Sequence, residues 1–179
     1  PTETDDGKII DLAANVELPS EIDSVIDHGA KSIGLCRTEF LFMLKPKLPE
    51  EEEQFLIYRN YLEKMKSGYV VIRTLDVGGD KMVASSSQES HEANPAMGFR
   101  AIRICLDDRN LFRTQLRAIL RASVYGKLKI MFPMISTLSE LREVLSFYRQ
   151  VERELLEERV TLSSNIEVGT MIEVPAAAY

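Results

Sequence analysis

The sequence predicts an α/β domain of parallel strands and helices, of the (β/α)8 TIM-barrel type. Short apolar runs alternate with amphipathic helical patterns five times along 179 residues, and strand–helix–strand repetition means parallel strands joined by right-handed crossovers. Charged or proline-containing motifs fall at the carboxyl end of most runs: Arg37, Arg73, Pro133 and Glu173. A barrel gathers such ends on one face, whereas a doubly wound sheet concentrates its chemistry at one switch point. The spacing of the runs is too irregular for a short-period solenoid.

The elements follow in order. Residues 9–16 form the first apolar run, ending near Pro19. Ser20, Glu21 and Asp23 start an acidic helix whose apolar face is Val25, Ile26 and Ala30, with Gly29 in its stop region. The second run is 32–36. After Pro49, Glu50 to Glu53 place anions in the first turn of a long helix, where the macrodipole favours them. Phe55, Tyr58, Leu62 and Met65 continue it at helical spacing, and Ser67-Gly68 closes it. The third run, 69–75, is rich in β-branched residues. A polar connection follows from Asp76 to Asn94, and the serine-rich stretch 84–92 reads as an exposed hairpin or lid. Residues 97–125 read as two helices broken near Asp107-Asp108, ended by Gly126. The fourth run, 128–132, stops at Pro133. Thr137 or Ser139 then caps a helix reaching about Glu158, with Leu141, Val144, Leu145, Tyr148, Val151 and Leu155 on its buried side. The fifth run, 167–173, stops before Pro175.

Composition narrows the function classes. A net charge of −6 argues against general nucleic-acid affinity while leaving room for a local basic pocket. Two cysteines, Cys36 and Cys105, are too few for a disulfide framework and suit a reducing cytoplasm. No apolar stretch has the length of a membrane span. The first residue is Pro1 and the chain stops at Tyr179, which suggests a piece of something longer.

Several residues carry chemistry. Arg37 and Arg73 each end an apolar run and each precede a threonine. Guanidinium forks grip carboxylate or phosphate bidentately, so two in one cavity suit a small polyanion. The competing reading pairs them with nearby acids such as Glu39 and Asp76. Gly78-Gly79 with Lys81 offers backbone amides and a point charge to an anion, or else forms a tight turn with a solvated lysine; the Walker spacing is absent. Glu173 suits a hard cation, because Mg²⁺ takes only one or two carboxylates plus water and substrate oxygens. The competing reading, and the commoner role for such a residue, is a helix-capping or salt-bridged glutamate. Arg109, Arg113, Arg117 and Arg121 form a stripe at four-residue spacing, read as a solvated face paired with acids such as those of 152–158. His28 and His91 lack any partner at catalytic spacing. Cys36 beside Arg37 reads as a buried strand cysteine.

The motifs Gly34-Leu35-Cys36-Arg37-Thr38-Glu39-Phe40, Val71-Ile72-Arg73-Thr74-Leu75-Asp76-Val77-Gly78-Gly79-Asp80-Lys81 and Asn94-Pro95-Ala96-Met97-Gly98-Phe99-Arg100 resemble those of phosphoenolpyruvate-utilising enzymes. So do Gln115 to Ser123, Met131-Phe132-Pro133-Met134-Ile135 and Met171-Ile172-Glu173-Val174-Pro175-Ala176-Ala177. Enzyme I of the sugar phosphotransferase system is most similar; dikinases and synthases share the first motif but diverge at the Val-Gly-Gly-Asp-Lys loop. The resemblance implies that Arg37, Arg73 and Arg100 bind phosphoenolpyruvate and that Glu173 is a Mg²⁺ ligand. It implies phosphoryl transfer to a histidine on a separate N-terminal domain and then to a phosphocarrier protein. Residues 1–179 are then a partial barrel domain with about the first five strand–helix units. The phosphohistidine domain, the last three strands and several late site residues match nothing here, so the chain alone is expected to be inactive. Open sheet edges would favour self-association, and a homo-oligomer is expected.

Overall fold

A computed structural model describes residues 2–43, 47–78 and 98–179. It contains a parallel five-stranded sheet of β1 (Ala13–Val16), β2 (Ser32–Cys36), β3 (Tyr69–Arg73), β4 (Lys127–Phe132) and β5 (Glu167–Thr170). The strands lie side by side in chain order, each beside its predecessor, with no reversal. One transverse row, Val16–Cys36–Ile72–Ile130–Val168, fixes the register across all five.

The helices are α1 (Ile22–Asp27), α2 (Phe40–Met43), α3 (Glu51–Lys64), α4 (Ile102–Asp107), α5 (Arg109–Ala122), α6 (Leu138–Glu157) and α7 (Pro175–Ala178). Local chemistry sets their ends. Asp108 closes α4, and its carboxylate accepts the amides of Asn110 and Leu111 to open α5, which explains the break at the Asp-Asp pair. Thr137 caps α6, with Glu140 returning the bond as a capping box. The three glutamates opening α3 lie where its N-terminal amides favour negative charge.

The core lies on one face of the sheet. Val70 and Ile72, and Leu128, Ile130 and Phe132, are buried there by the alternation of the strands. Helix α5 packs Leu111, Phe112, Leu116 and Ile119 into this core, and the Phe112 ring stacks at 5.4 Å on Phe147 and meets Phe132 edge-on at 6.1 Å. The opposite face, including Tyr69, Val71, Lys129 and Met131, is only partly covered. There Lys129 pairs with Glu167 at 3.1 Å and lies over the Tyr69 ring.

Some expected boundaries move. The first strand is only Ala13–Val16, while Ile9, Ile10 and Leu12 are exposed. Pro19–Glu21 is a 3-10 turn, and Ile22 rather than Ile26 anchors α1 in the core. Proline has no amide to donate, and Glu21 binds back to the amides of Glu17 and Leu18, so the regular helix starts late. Strand β5 ends at Thr170, three residues before Glu173, although Met171 still donates to the Phe132 carbonyl at 2.9 Å. The helix expected from residue 97 starts at Ile102.

Candidate functional site

Arg37 and Arg73 each stand one residue beyond the transverse row, just past Cys36 and Ile72 on adjacent parallel strands. Glu173 follows β5 at that same carboxyl end. The expected residues therefore share one end of the sheet.

Arg73 is the hub. Its Nη2 donates to Glu39, its Nη1 lies 3.0 Å from Asp76, and Nη1 also reaches the Met171 sulfur at 3.6 Å. The other Asp76 oxygen takes Arg100 Nη2 at 2.9 Å. Glu39, Arg73 and Asp76 are nearly enclosed, with side chains 9 to 11% exposed. The acid-pairing expectation therefore holds for Arg73, with both named acids. Arg37 also pairs with an acid, but with neither of those two: its half-exposed side chain faces Glu17 at 3.8 Å.

These ion pairs leave donors unspent. Among the described residues, Nε of Arg37, of Arg73 and of Arg100 is in each case buried with no hydrogen-bond partner, as are Glu39 Oε2 and Thr74 Oγ1. Buried N–H groups almost always find acceptors. A guanidinium that pairs through Nη while keeping Nε–H free can still take an oxygen along its side edge.

At the other side of the rim, Glu173 accepts the Met134 amide at 2.7 Å. Met134 holds a positive φ of 59°, and Ala101, next to Arg100, one of 52°. Such backbone is costly for residues with a Cβ and gathers at functional sites.

A buried polar chain, unforeseen from sequence, lies beneath the arginines. Gln115 on α5 accepts the Leu75 amide at 3.0 Å and donates to Thr38 Oγ1 at 3.1 Å. Thr38 donates to the Arg73 carbonyl at 3.0 Å. The signal was present as one amide among the apolar positions of α5, and as a threonine after each strand-end arginine.

Other expectations resolve simply. The α5 stripe is ion-paired: Arg109 with Glu143, Arg113 with Glu154, Arg117 with Glu51 and Glu158, Arg121 with Glu51 and Glu52. Three of those five acids, Glu51 and Glu52 of α3 and Glu143 of α6, lie outside the expected 152–158 segment. Cys36 is buried; burial, then the charge of Glu39, pushes its thiol well up, away from reactivity. Gly79, Asp80, Lys81, the 84–92 stretch, His91 and Asn94 to Met97 lie outside the described residues. Among the described residues no three acids, histidines or cysteines gather as a metal cluster, and no helix is long and apolar enough to cross a membrane.

Comparison with known proteins agrees with the motifs. Residues 1–179 match the family described as PEP-utilising enzyme, PEP-binding domain. The chain is 51% identical over 177 residues to the phosphoenolpyruvate-protein phosphotransferase of Geobacillus stearothermophilus, covering 99% of this chain and 30% of that protein. It is 47% identical over 178 residues to the protein of the same name from Bacillus subtilis (strain 168), covering 99% and 31%. The chain thus spans under a third of the length of these relatives. With all of its residues inside the match, the chain belongs to the PEP-binding domain family of the PEP-utilising enzymes.

Proposed function

We propose that this chain is the phosphoenolpyruvate-binding part of a phosphoenolpyruvate-protein phosphotransferase, with the substrate held by Arg37, Arg73 and Arg100. The observation that carries this is the set of three buried guanidinium Nε–H groups, at one end of the sheet, without acceptors among the described residues. A phosphorylated carboxylic acid brings oxygens at both of its ends, which suits several forks at once. The pairs with Glu39 and Asp76 fix the Arg73 and Arg100 forks beforehand, so little ordering of these two is left to binding. The relatives, both phosphoenolpyruvate-protein phosphotransferases, favour a protein phosphotransferase over a dikinase or synthase.

Glu173 fits a role as Mg²⁺ ligand. One of its oxygens is fixed by the Met134 amide, and the other has no partner among the described residues. One carboxylate completed by water and substrate oxygens is an ordinary Mg²⁺ donor set. The bound ion would supply positive charge against the transferring phosphoryl group. The arginines orient the substrate and neutralise its charge; transfer onward to a carrier protein belongs to the same proposal.

The proposed architecture is a (β/α)8 barrel. Its supports are the sequential strand order and the sheet face left partly covered and lined by Lys129, Met131 and Glu167. A doubly wound sheet reverses its strand order and covers both faces.

Titration calorimetry with phosphoenolpyruvate, with and without Mg²⁺, tests the proposal. Weak saturable binding that depends on Mg²⁺ and disappears in Arg73→Lys is expected; equal heats for wild type and variant would contradict it.

A further inference from the structure

We propose that Gln115, acting through Thr38, is a positioning residue that sets the Arg37 and Arg73 segments relative to each other; the functional side of this rests on the phosphoenolpyruvate reading above. The hydrogen bonds leave the amide one orientation. The Leu75 N–H can only donate, so Gln115 Oε1 must face it at 3.0 Å. The amide NH₂ then faces Thr38 Oγ1 at 3.1 Å and Tyr58 at 3.4 Å. Thr38, having accepted from Gln115, gives its own proton to the Arg73 carbonyl at 3.0 Å.

The location gives this chain its meaning. Strand β2 ends at Cys36 and β3 at Arg73, and on the β4 side the ladder still continues through the Thr74 amide to Met131. On the β2 side the Arg73 carbonyl and the Leu75 amide have lost a strand to bond, and buried backbone groups must be paired. The Thr38 hydroxyl and the Gln115 amide take the place of that strand. Gln115 of α5 therefore grips the peptide after Thr74 directly, and the peptide before it through Thr38, the residue after Arg37. Gln115 and Thr38 are 1% and 0% exposed, so the chain works without competing water. A fork displaced by about 1 Å loses the alignment that bidentate binding needs, on the order of a hundred-fold in rate in comparable sites.

The test compares three variants of the 179-residue chain. Thr38→Val keeps the shape and leaves Gln115 in place but cuts the link to the Arg73 carbonyl. Gln115→Met removes both arms. Phe112→Leu, one turn earlier on α5, is a core change that touches none of these groups and serves as the stability reference. Phosphoenolpyruvate affinity in Mg²⁺ and the thermal midpoint are measured for each. In the absence of ligand, exchange of the Leu75 amide and the ¹⁵Nε line of Arg73 are followed by NMR. The expected result is about a ten-fold loss of affinity in Thr38→Val and Gln115→Met beyond Phe112→Leu. A displaced Arg73 line in both, and faster Leu75 exchange in Gln115→Met, should accompany it. Affinity that merely tracks the midpoint in all three, or an Arg73 line unmoved by Thr38→Val, overturns the inference. If Gln115→Met does not fold, Thr38→Val decides alone. If the wild type binds no phosphoenolpyruvate, the proposed function falls, and the ligand-free measurements still decide whether Gln115 positions the arginine.

Discussion

Asp76 divides its carboxylate between two arginines, with Arg100 at 2.9 Å on one oxygen and Arg73 at 3.0 Å on the other. With its side chain 9% exposed, it is the counter-charge that lets both guanidinium groups stand close together away from water. Asp76→Asn should therefore leave the enclosed Arg73 with Glu39 as its carboxylate partner and take from Arg100 the carboxylate it shares. Removing one partner from such a cluster costs about 3 kcal/mol, measurable as a lower urea midpoint with an unchanged slope. A loss under about 0.5 kcal/mol would mean that water screens the cluster.

Gly68 should tolerate no side chain. A Cβ there would run into the Lys31 carbonyl and the Ser32 hydroxyl, so β3 could enter the sheet only by shifting. At Gly126 a Cβ would lie 2.7 Å from the Leu62 carbonyl oxygen. Each Gly→Ala change is expected to destabilise by about 1–3 kcal/mol. Gly29, at φ +82° with open space around it, should be destabilised by Ala through backbone strain alone. Thermal unfolding of the three variants checks both mechanisms.

The α5 stripe should matter little for binding and modestly for stability. Arg121 is 24% exposed, pairs with Glu51 at 2.7 Å, and lies over the Phe55 ring at 4.3 Å. Arg121→Met keeps the stem and removes the charge, so a loss of about 1 kcal/mol or less is expected, shrinking as salt is added. The same variant should leave phosphoenolpyruvate affinity unchanged.

Acid should weaken the start of α6. Burial pushes the Glu140 carboxyl up, but the Ser136 hydroxyl and amide and the Arg103 guanidinium outweigh it and leave it below its ordinary value. A depressed carboxylate contributes stability that is present above its unfolded-state value and is lost as pH falls through the lower folded-state value. Glu140→Gln should thus cost about 1 kcal/mol at neutral pH, with the gap to wild type closing as the pH falls below 4.5. A gap that stays constant down to pH 2 would contradict this.

Much of the fold was legible because local chemistry agreed with the tertiary result. Strand β2, the Asp108 break, the Thr137 cap and the Gly126 stop all follow from residues within a few positions of one another. The apolar residues 9, 10 and 12 misled because hydrophobicity alone does not supply a neighbouring strand, and pairing with β2 begins only at Ala13. At the site, Arg37, Arg73 and Glu173 announced themselves by standing at strand ends. The partners did not: Gln115 lies 40 residues from Leu75 and 77 from Thr38, and Glu17 meets Arg37 across adjacent strands. Long-range pairing of polar groups carries no period in a sequence, whereas burial of apolar ones does.

The most direct measurement follows the ¹⁵Nε lines of Arg37, Arg73 and Arg100 during titration with phosphoenolpyruvate in Mg²⁺. All three should move together along one saturable curve, since each buried N–H gains an oxygen acceptor, and equal sulfate should move them far less. Lines that stay in place at saturating phosphoenolpyruvate, or that respond identically to sulfate, would contradict it.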